Sequence, residues 1–391
     1  MKKLAMIAGI TGLLMLPRLS RAGNSSAARP AGSGNSRPNI VLVVLDDVGW
    51  SDLGCYGGEI RTPNLDALAR SGLRYLKFDI NAVCSATRAS LLTGRNSQTV
   101  KMGFLAAMGK QQIRNIGRFE TAVVRKDPAL IPLVGLHPLR ALQSADPGWR
   151  DPKDRSPYRG WMPRNAETVA AALRSDGYAT WAIGKWHLAP HWENGSPVNN
   201  ADFPLERGFG YFYGFRDGWT DQYRPVLYLN NQRIPIPRYG YGQMLTGDLV
   251  DHAIQKIKAQ RESRPGQPFF LYLALPVAHA PVQVTQPYID AYDGVYAKGW
   301  DAIRRARFKR QKKMGLIPED AVLPRRNPGD PPWRDLTAQQ KRVYARFMQA
   351  YAGYITYGDQ QLGRLFSYMH RSGVSSNTLI MVVSDNGPAS E

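Results

Sequence analysis

Cysteine is nearly missing from this chain: its 391 residues include two, Cys55 and Cys84. A network of disulfides is thereby excluded, and at most one bridge, Cys55–Cys84, can form. Long apolar runs are also scarce. The stretch from Leu4 to Leu16 is too short to span a bilayer, and no later run is long and apolar enough, so no stable membrane span is expected. Acidic residues are few, 31 against 51 Lys and Arg, for a formal net charge of +20. Such an excess favours anionic partners: a sulfated polysaccharide, a nucleic acid or an anionic membrane surface. A basic proteome or extracellular niche would produce the same balance. No RNA- or DNA-binding motif accompanies the charge, so nucleic acid is not the expected partner. Internal repeats are absent.

What is present is the material of a folded, globular protein. Hydrophobic residues make up 43% and there are nine tryptophans, enough for a substantial core and too many for a disordered chain. Lys2 and Lys3, the short apolar stretch after them and Ser20-Arg21-Ala22 read as a secretory signal cleaved before Gly23. A retained anchor is the alternative. Residues 23–37, rich in Gly, Ser, Ala and Asn, read as a flexible leader, and residues 38–391 as one folded domain. The protein is therefore expected to be exported, periplasmic or secreted. The dense run from Arg304 to Lys313 reads as a solvated helix face, and Trp161, Trp219 and Tyr223 as core aromatics before sugar-stacking ones.

Four short apolar runs punctuate the chain: Ile40 to Leu45, Ala179 to Ile183, Phe269 to Ala274, and Leu379 to Val383. Continuous β-branched and aromatic runs of this length suit strands buried on both faces of a parallel sheet. Helical patterns lie between them, over Thr62 to Ala69, Ala166 to Ser175, Leu249 to Gln260 and Gln339 to Arg371, the first, second and last closing at Gly72, Gly177 and Gly373. The alternation predicts an α/β fold, a doubly wound, mostly parallel sheet flanked by helices. Ligands of such sheets bind beyond the carboxyl ends of the strands, which gathers Asp46, Lys185, His279 and Asp385 at one edge. Proline-rich residues 110–160 read as an insertion beside that edge.

Several residues there have chemistry in common. Asp46, Asp47, Asp385 and Asn386 form a hard, all-oxygen donor set suited to Ca²⁺ or Mg²⁺. Taken singly, each pair is as well explained by a helix cap or a tight turn. Cys84 opens a predicted helix over Ser85 to Leu92, whose N-terminus favours an anion. Arg88 lies one turn on, on the same face, where it can anchor residue 84. Lys185 and His187, two apart after a strand, can point into one cleft.

The segment from Val83 to Arg95, Cys-x-Ala-x-Arg followed by Leu92-Thr93-Gly94-Arg95, resembles the signature of type I sulfatases, which have the alkaline-phosphatase-like fold. Arg61-Thr62-Pro63-Asn64-Leu65-Asp66, Gly184-Lys185-Trp186-His187 and Ser384-Asp385-Asn386-Gly387 resemble further hallmarks of that family, so the likeness runs from about Arg37 to the last residue. It implies a sulfuric ester hydrolase acting on aryl sulfates or sulfated glycans. It implies that Cys84 is oxidised to formylglycine, whose hydrate attacks sulfur, and that Cys55 is left as a lone thiol. It implies Ca²⁺ held by Asp46, Asp47, Asp385, Asn386 and residue 84. It also implies catalytic roles for Arg88, for Lys185 on the sulfate, for His187 as the base that removes the remaining diol proton, and for His279 as the acid on the leaving oxygen. Ala86 stands where the commoner motif has proline, so the partner that oxidises Cys84 is either a formylglycine-generating enzyme or a radical maturase that tolerates alanine. Members of the family continue beyond the position of Glu391 with a further lysine and more of the fold, so the 391-residue chain is expected to be a fragment, poorly stable or inactive. A phosphonate or phosphodiester hydrolase of the same superfamily, and a non-catalytic polyanion binder on a degenerate domain of this kind, are the competing readings.

Overall fold

The computed structural model describes residues 37–106, 160–190, 200–327 and 330–388. The secretory segment, the leader apart from Arg37 and the 110–160 insertion apart from Gly160 lie outside the described residues. Seven strands form one sheet: β1 (Asn39–Leu45), β2 (Ala179–Lys185), β3 (Tyr211–Phe215), β4 (Tyr228–Leu229), β5 (Gln232–Arg233), β6 (Phe269–Ala274) and β7 (Thr378–Ser384). Their order is β5-β4-β3-β2-β6-β1-β7. The five strands from β3 to β7 along that order are parallel, and the β4–β5 hairpin is antiparallel.

The continuous apolar runs arise because both faces of the central strands are covered. Along β1, Val41, Val43 and Leu45 join one buried cluster, while Leu42 and Val44 join the other. Helices α1 (Pro63–Ser71), α2 (Cys84–Thr93), α3 (Val169–Ser175), α4 (Leu245–Ser263), α5 (Gln286–Asp290), α6 (Gly299–Lys313) and α7 (Ala338–Arg371) accompany the sheet. The first cluster takes Leu65 of α1, Leu249 to Ile257 of α4 and Ile355, Leu362, Leu365 and Met369 of α7. The second takes Ala89 and Leu92 of α2 and Ala170 of α3. Each fully buried aliphatic side chain contributes about 1.5–3 kcal/mol. Helix α7 starts at a capping box, with Thr337 Oγ1 accepting from Gln340 N and Gln340 Oε1 accepting from Thr337 N, and the chain turns away at Gly373. Among the described residues, no helix is long and apolar enough to cross a membrane.

Two expectations need correction, and three strands have no counterpart in the apolar runs. Strand β7 is not buried on both faces: it pairs with β1 at the sheet edge, and Leu379 and Met381 are exposed. Strands β3 to β5 carry no comparable run, because two of them are two residues long and β3 has a glycine at its fourth position. The basic run does form a helix, α6, but its face is not wholly solvated. Arg307 and Arg310 turn inward onto Glu59 and the Gly57 carbonyl, and Gln311 is buried.

Candidate active site

Strands β2, β6, β1 and β7 are neighbours running the same way, so their carboxyl ends share one edge. Asp46 and Asp47 follow β1, Asp385 and Asn386 follow β7, Lys185 is the last residue of β2, and His279 lies in the loop after β6. Short backbone ties hold these loops together: Asp385 N donates to Leu45 O at 3.0 Å, Asp46 N to Val277 O at 2.6 Å and His187 N to Arg216 O at 2.9 Å. Within this frame Asp47 and His187 have φ of 58° and 52°, the left-handed region that a non-glycine residue occupies only when its surroundings hold it there. Gly184, beside Lys185, has φ of 108°, and a Cβ there would stand 1.9 Å from Ala274 O. Strand β6 therefore approaches the Gly-Lys-x-His segment more closely than a side chain would permit.

Cys84 is the first residue of α2, and Gly94 closes that helix in the left-handed conformation. Its thiol does not bridge: both cysteines are free. Cys55 sits instead on Asp66, and burial together with that carboxylate pushes its thiol up to about 12. Cys84 Sγ lies 3.1 Å from His187 Nδ1. Ser85 Oγ donates to the His187 carbonyl at 2.8 Å and accepts from Ala106 N at 2.9 Å, so the residue after Cys84 fixes the histidine. Burial pushes the Cys84 thiol up to about 12 despite the nearby charge of Lys185. An unmodified thiol here stays protonated and is a poor nucleophile at neutral pH. Burial, then the charges of Lys185 and Arg88, hold His187 well below the ordinary histidine value, so its ring is neutral.

The charges are tightly interlocked. Lys185 Nζ donates to both oxygens of Asp46 at 2.9 and 2.7 Å. Arg88 Nε donates to Asp385 Oδ2 at 2.8 Å, and Nη1 reaches Tyr272 Oη at 3.2 Å and the Lys185 carbonyl at 3.3 Å. Arg88 thus anchors Asp385; among the described contacts it makes no hydrogen bond to residue 84, which it was expected to anchor. Asn386 Nδ2 donates to Asp47 Oδ1, and His279 Nε2 lies 3.8 Å from Asp47 Oδ2. His279 Nδ1 faces its neighbour's carbonyl, Ala280 O, at 2.7 Å, which leaves Nε2 toward the carboxylates.

This donor set fits a divalent cation. Three buried carboxylates, Asp46, Asp47 and Asp385, stand against two buried cations, Arg88 and Lys185. Burial, followed by the charge of Asp46, pushes the Asp385 carboxyl up to about 6. Asp46, Asp47 and His279 each offer one ligand atom, all within 4.8 Å of one another. Cys84 and Asp385 fall outside that group, although Asp385 Oδ1 stays near it, 3.4 Å from Asp47 N.

Sequence reasoning missed Tyr272, Ser85 and Gly218. Tyr272 reads as core within Phe269–Ala274, and only its buried hydroxyl beside Arg88 marks it. Gly218 lies against His187, where a Cβ would be 2.6 Å from the ring. Trp219 and Tyr223, on the same loop, are 46% and 36% exposed and so are not core aromatics.

A family model described as Sulfatase matches residues 38–121 and 151–391. An uncharacterized sulfatase of Schizosaccharomyces pombe is 29% identical over 369 residues, covering 90% of this chain and 58% of its own length. An arylsulfatase of Klebsiella aerogenes is 27% identical over 400 residues, covering 99% and 71%. A solved structure of a protein in complex with its substrate, D-glucosamine-2-N,6-O-disulfate, shares the fold with a TM-score of 0.54 at 19% identity, covering 90% of this chain and 66% of that one. The chain thus spans less than two thirds of the yeast relative.

Proposed function

The chain belongs to the sulfatase family, and we propose that it hydrolyses sulfate monoesters at the buried site around residue 84, on aryl sulfates or sulfated glycans. The observation that carries the reading is the contact of Cys84 with a neutral histidine at a helix N-terminus, among two buried cations and three buried carboxylates. A thiol held near 12 is unfit for the attack, which supports conversion of Cys84 to formylglycine by a maturase. Because Cys84 is buried in the folded chain, that conversion precedes folding. Asp46, Asp47, Asp385 and Asn386 would hold Ca²⁺. When present, the two groups supply an aldehyde-hydrate nucleophile with a second hydroxyl and a Lewis acid for a sulfate oxygen.

The chain's own residues do the rest. With a cation neutralising the carboxylates, Lys185 and Arg88 would supply fixed positive potential where charge develops, without reorganisation during the reaction. His187 Nδ1, 3.1 Å from the side-chain atom of residue 84, is positioned to take its proton. His279 turns Nε2 toward the same edge and is placed to protonate the leaving oxygen. Trp219, which follows Gly218 in the chain, and Tyr223 on the same loop expose their rings and suit a leaving group that carries a ring, and the sulfated-sugar complex of the structural neighbour supports the same substrate class.

Mass spectrometry of the Cys84 peptide, paired with turnover of an aryl sulfate and of a phosphate diester, tests the proposal. Formylglycine at 84 with preference for the sulfate is the expected result. An intact thiol, or a preference for the diester, would overturn it.

A further inference from the structure

Helix α6, whose charge run reads in sequence as a solvated surface, reaches the acidic edge of the sheet through two other residues. Arg307 donates through Nε to Glu59 Oε2 at 2.6 Å and through Nη2 to Glu59 Oε1 at 2.7 Å, and its Nη1 pairs with Asp52 Oδ1. The other oxygen of buried Asp52, Oδ2, accepts from Gly49 N at 2.9 Å and from Tyr351 Oη at 2.8 Å. That tyrosine hydroxyl also lies 2.8 Å from the carbonyl oxygen of Asp47. A connected series, Glu59–Arg307–Asp52–Tyr351, therefore ends on the backbone of the one carboxylate residue here with φ in the left-handed region. The series has little slack. A Cβ at Gly49 would stand 2.8 Å from Asp52 Oδ2, and one at Gly58 would stand 2.1 Å from the Asp52 carbonyl oxygen.

Asp47 needs such a support. Rotating its peptide out of the left-handed conformation would swing the carboxylate away from Asn386 and His279, which it faces now. Groups behind a ligand commonly set its orientation and thereby the affinity of the site. We propose that Tyr351, Asp52 and Arg307 are positioning residues that hold Asp47 in its cation-binding conformation, so that α6 tunes the site from behind without touching substrate. The proposal rests on the calcium reading above.

The test is calcium titration by calorimetry of the chelator-stripped protein, wild type against Tyr351→Phe and Arg307→Gln, with the melting temperature of each metal-free form recorded alongside. Tyr351→Phe keeps the ring and removes the hydroxyl alone. Its calcium Kd is expected to rise about tenfold, with a smaller rise in the same direction for Arg307→Gln, and the calcium needed for half-maximal activity should rise in parallel. A purely structural role would lower the metal-free melting temperature and leave both Kd values at the wild-type figure, which overturns the proposal. Should Tyr351→Phe fail to fold, Arg307→Gln, at a more exposed link, decides alone. Wild-type protein that takes up no calcium would instead sink the calcium reading itself, an outcome distinct from the previous one.

Discussion

Gly218→Ala probes the site with one methyl group. The new Cβ would stand 2.6 Å from His187 Cε1, 2.8 Å from Nε2 and 3.1 Å from Nδ1, where ordinary contact begins at 3.4 Å. The ring must retreat by roughly 0.8 Å, close to the ~1 Å misplacement that costs on the order of 100-fold in rate. It has no easy way back, because the His187 backbone is bonded to Arg216 O and Ser85 Oγ and the ring faces Cys84 Sγ at 3.1 Å. Alanine adds no backbone strain, since φ at 218 is outside the left-handed region. On the sulfatase proposal, kcat/KM for a chromogenic aryl sulfate should fall about 100-fold, about 2.7 kcal/mol of transition-state stabilisation. Overpacking should cost about 1–3 kcal/mol of stability, so the assay is run well below the unfolding midpoint. Gly266→Ala, with nothing within 4 Å of the new Cβ, is the control and should match wild type. Wild-type kcat/KM in Gly218→Ala would show that the His187 ring is not where the chemistry needs it, and the argument for its role would fail.

Further outcomes follow from the charges and thiols. Lys185→Met leaves Asp46, fully buried, with Arg88 Nη2 at 3.7 Å as its remaining cation. Breaking such a pair should cost about 3–5 kcal/mol in chelator, read by urea denaturation, and a loss below ~1 kcal/mol would contradict the interlocked-charge account. Glu59 titrates below the ordinary glutamate value of 4.5, because the hydrogen bonds and charge of Arg307 outweigh the upward push of burial. A depressed carboxyl contributes stability above its unfolded pKa and loses it as pH falls through the folded one. The melting-temperature gap between wild type and Glu59→Gln should therefore be widest above pH 4.5 and close on acidification; a gap that widens instead would refute the sign. Thiol titration in guanidinium should count one group per chain if Cys84 has been converted and two if it has not, while Cys55, pushed up to about 12, reacts slowly in the folded protein at neutral pH.

The sequence was most informative where burial acts on both faces of a strand. Strands β1, β2 and β6 announce themselves as apolar runs because each packs helices above and below; α1, α2 and α7 announce themselves by the glycines that follow them, and α7 also by its capping box. Where one face is open the run misleads, as for β7, whose Leu379 and Met381 face outward. The gathering of Asp46, Lys185, His279 and Asp385 follows from topology alone, since four parallel neighbours end at one edge. Pairing within that edge does not follow. That Arg88 takes Asp385, that Ser85 carries His187, and that Tyr272 spends its hydroxyl on Arg88 depend on distances across as many as 297 residues of chain. A tyrosine inside an apolar strand has no sequence mark that separates core packing from a polar contact.

The interlock also couples the two occupants of the site to each other. Three buried carboxylates against two buried cations leave an excess of negative charge at the place where, on the sulfatase proposal, an anionic ester binds. Lys185 and Arg88 are committed to Asp46 and Asp385 at 2.7 Å, so without a further cation little positive potential is left for a sulfate. A divalent ion on the carboxylates reverses the sign of the cluster, and by linkage substrate and ion must each tighten the other's binding by the same factor. The proposed chemistry thus favours the ester in the cation-loaded site. Measuring calcium affinity with and without a non-hydrolysed sulfate analogue gives the coupling directly. Equal affinities would mean that the carboxylates and the anion site are electrostatically independent, which their burial within one cluster at this sheet edge does not permit.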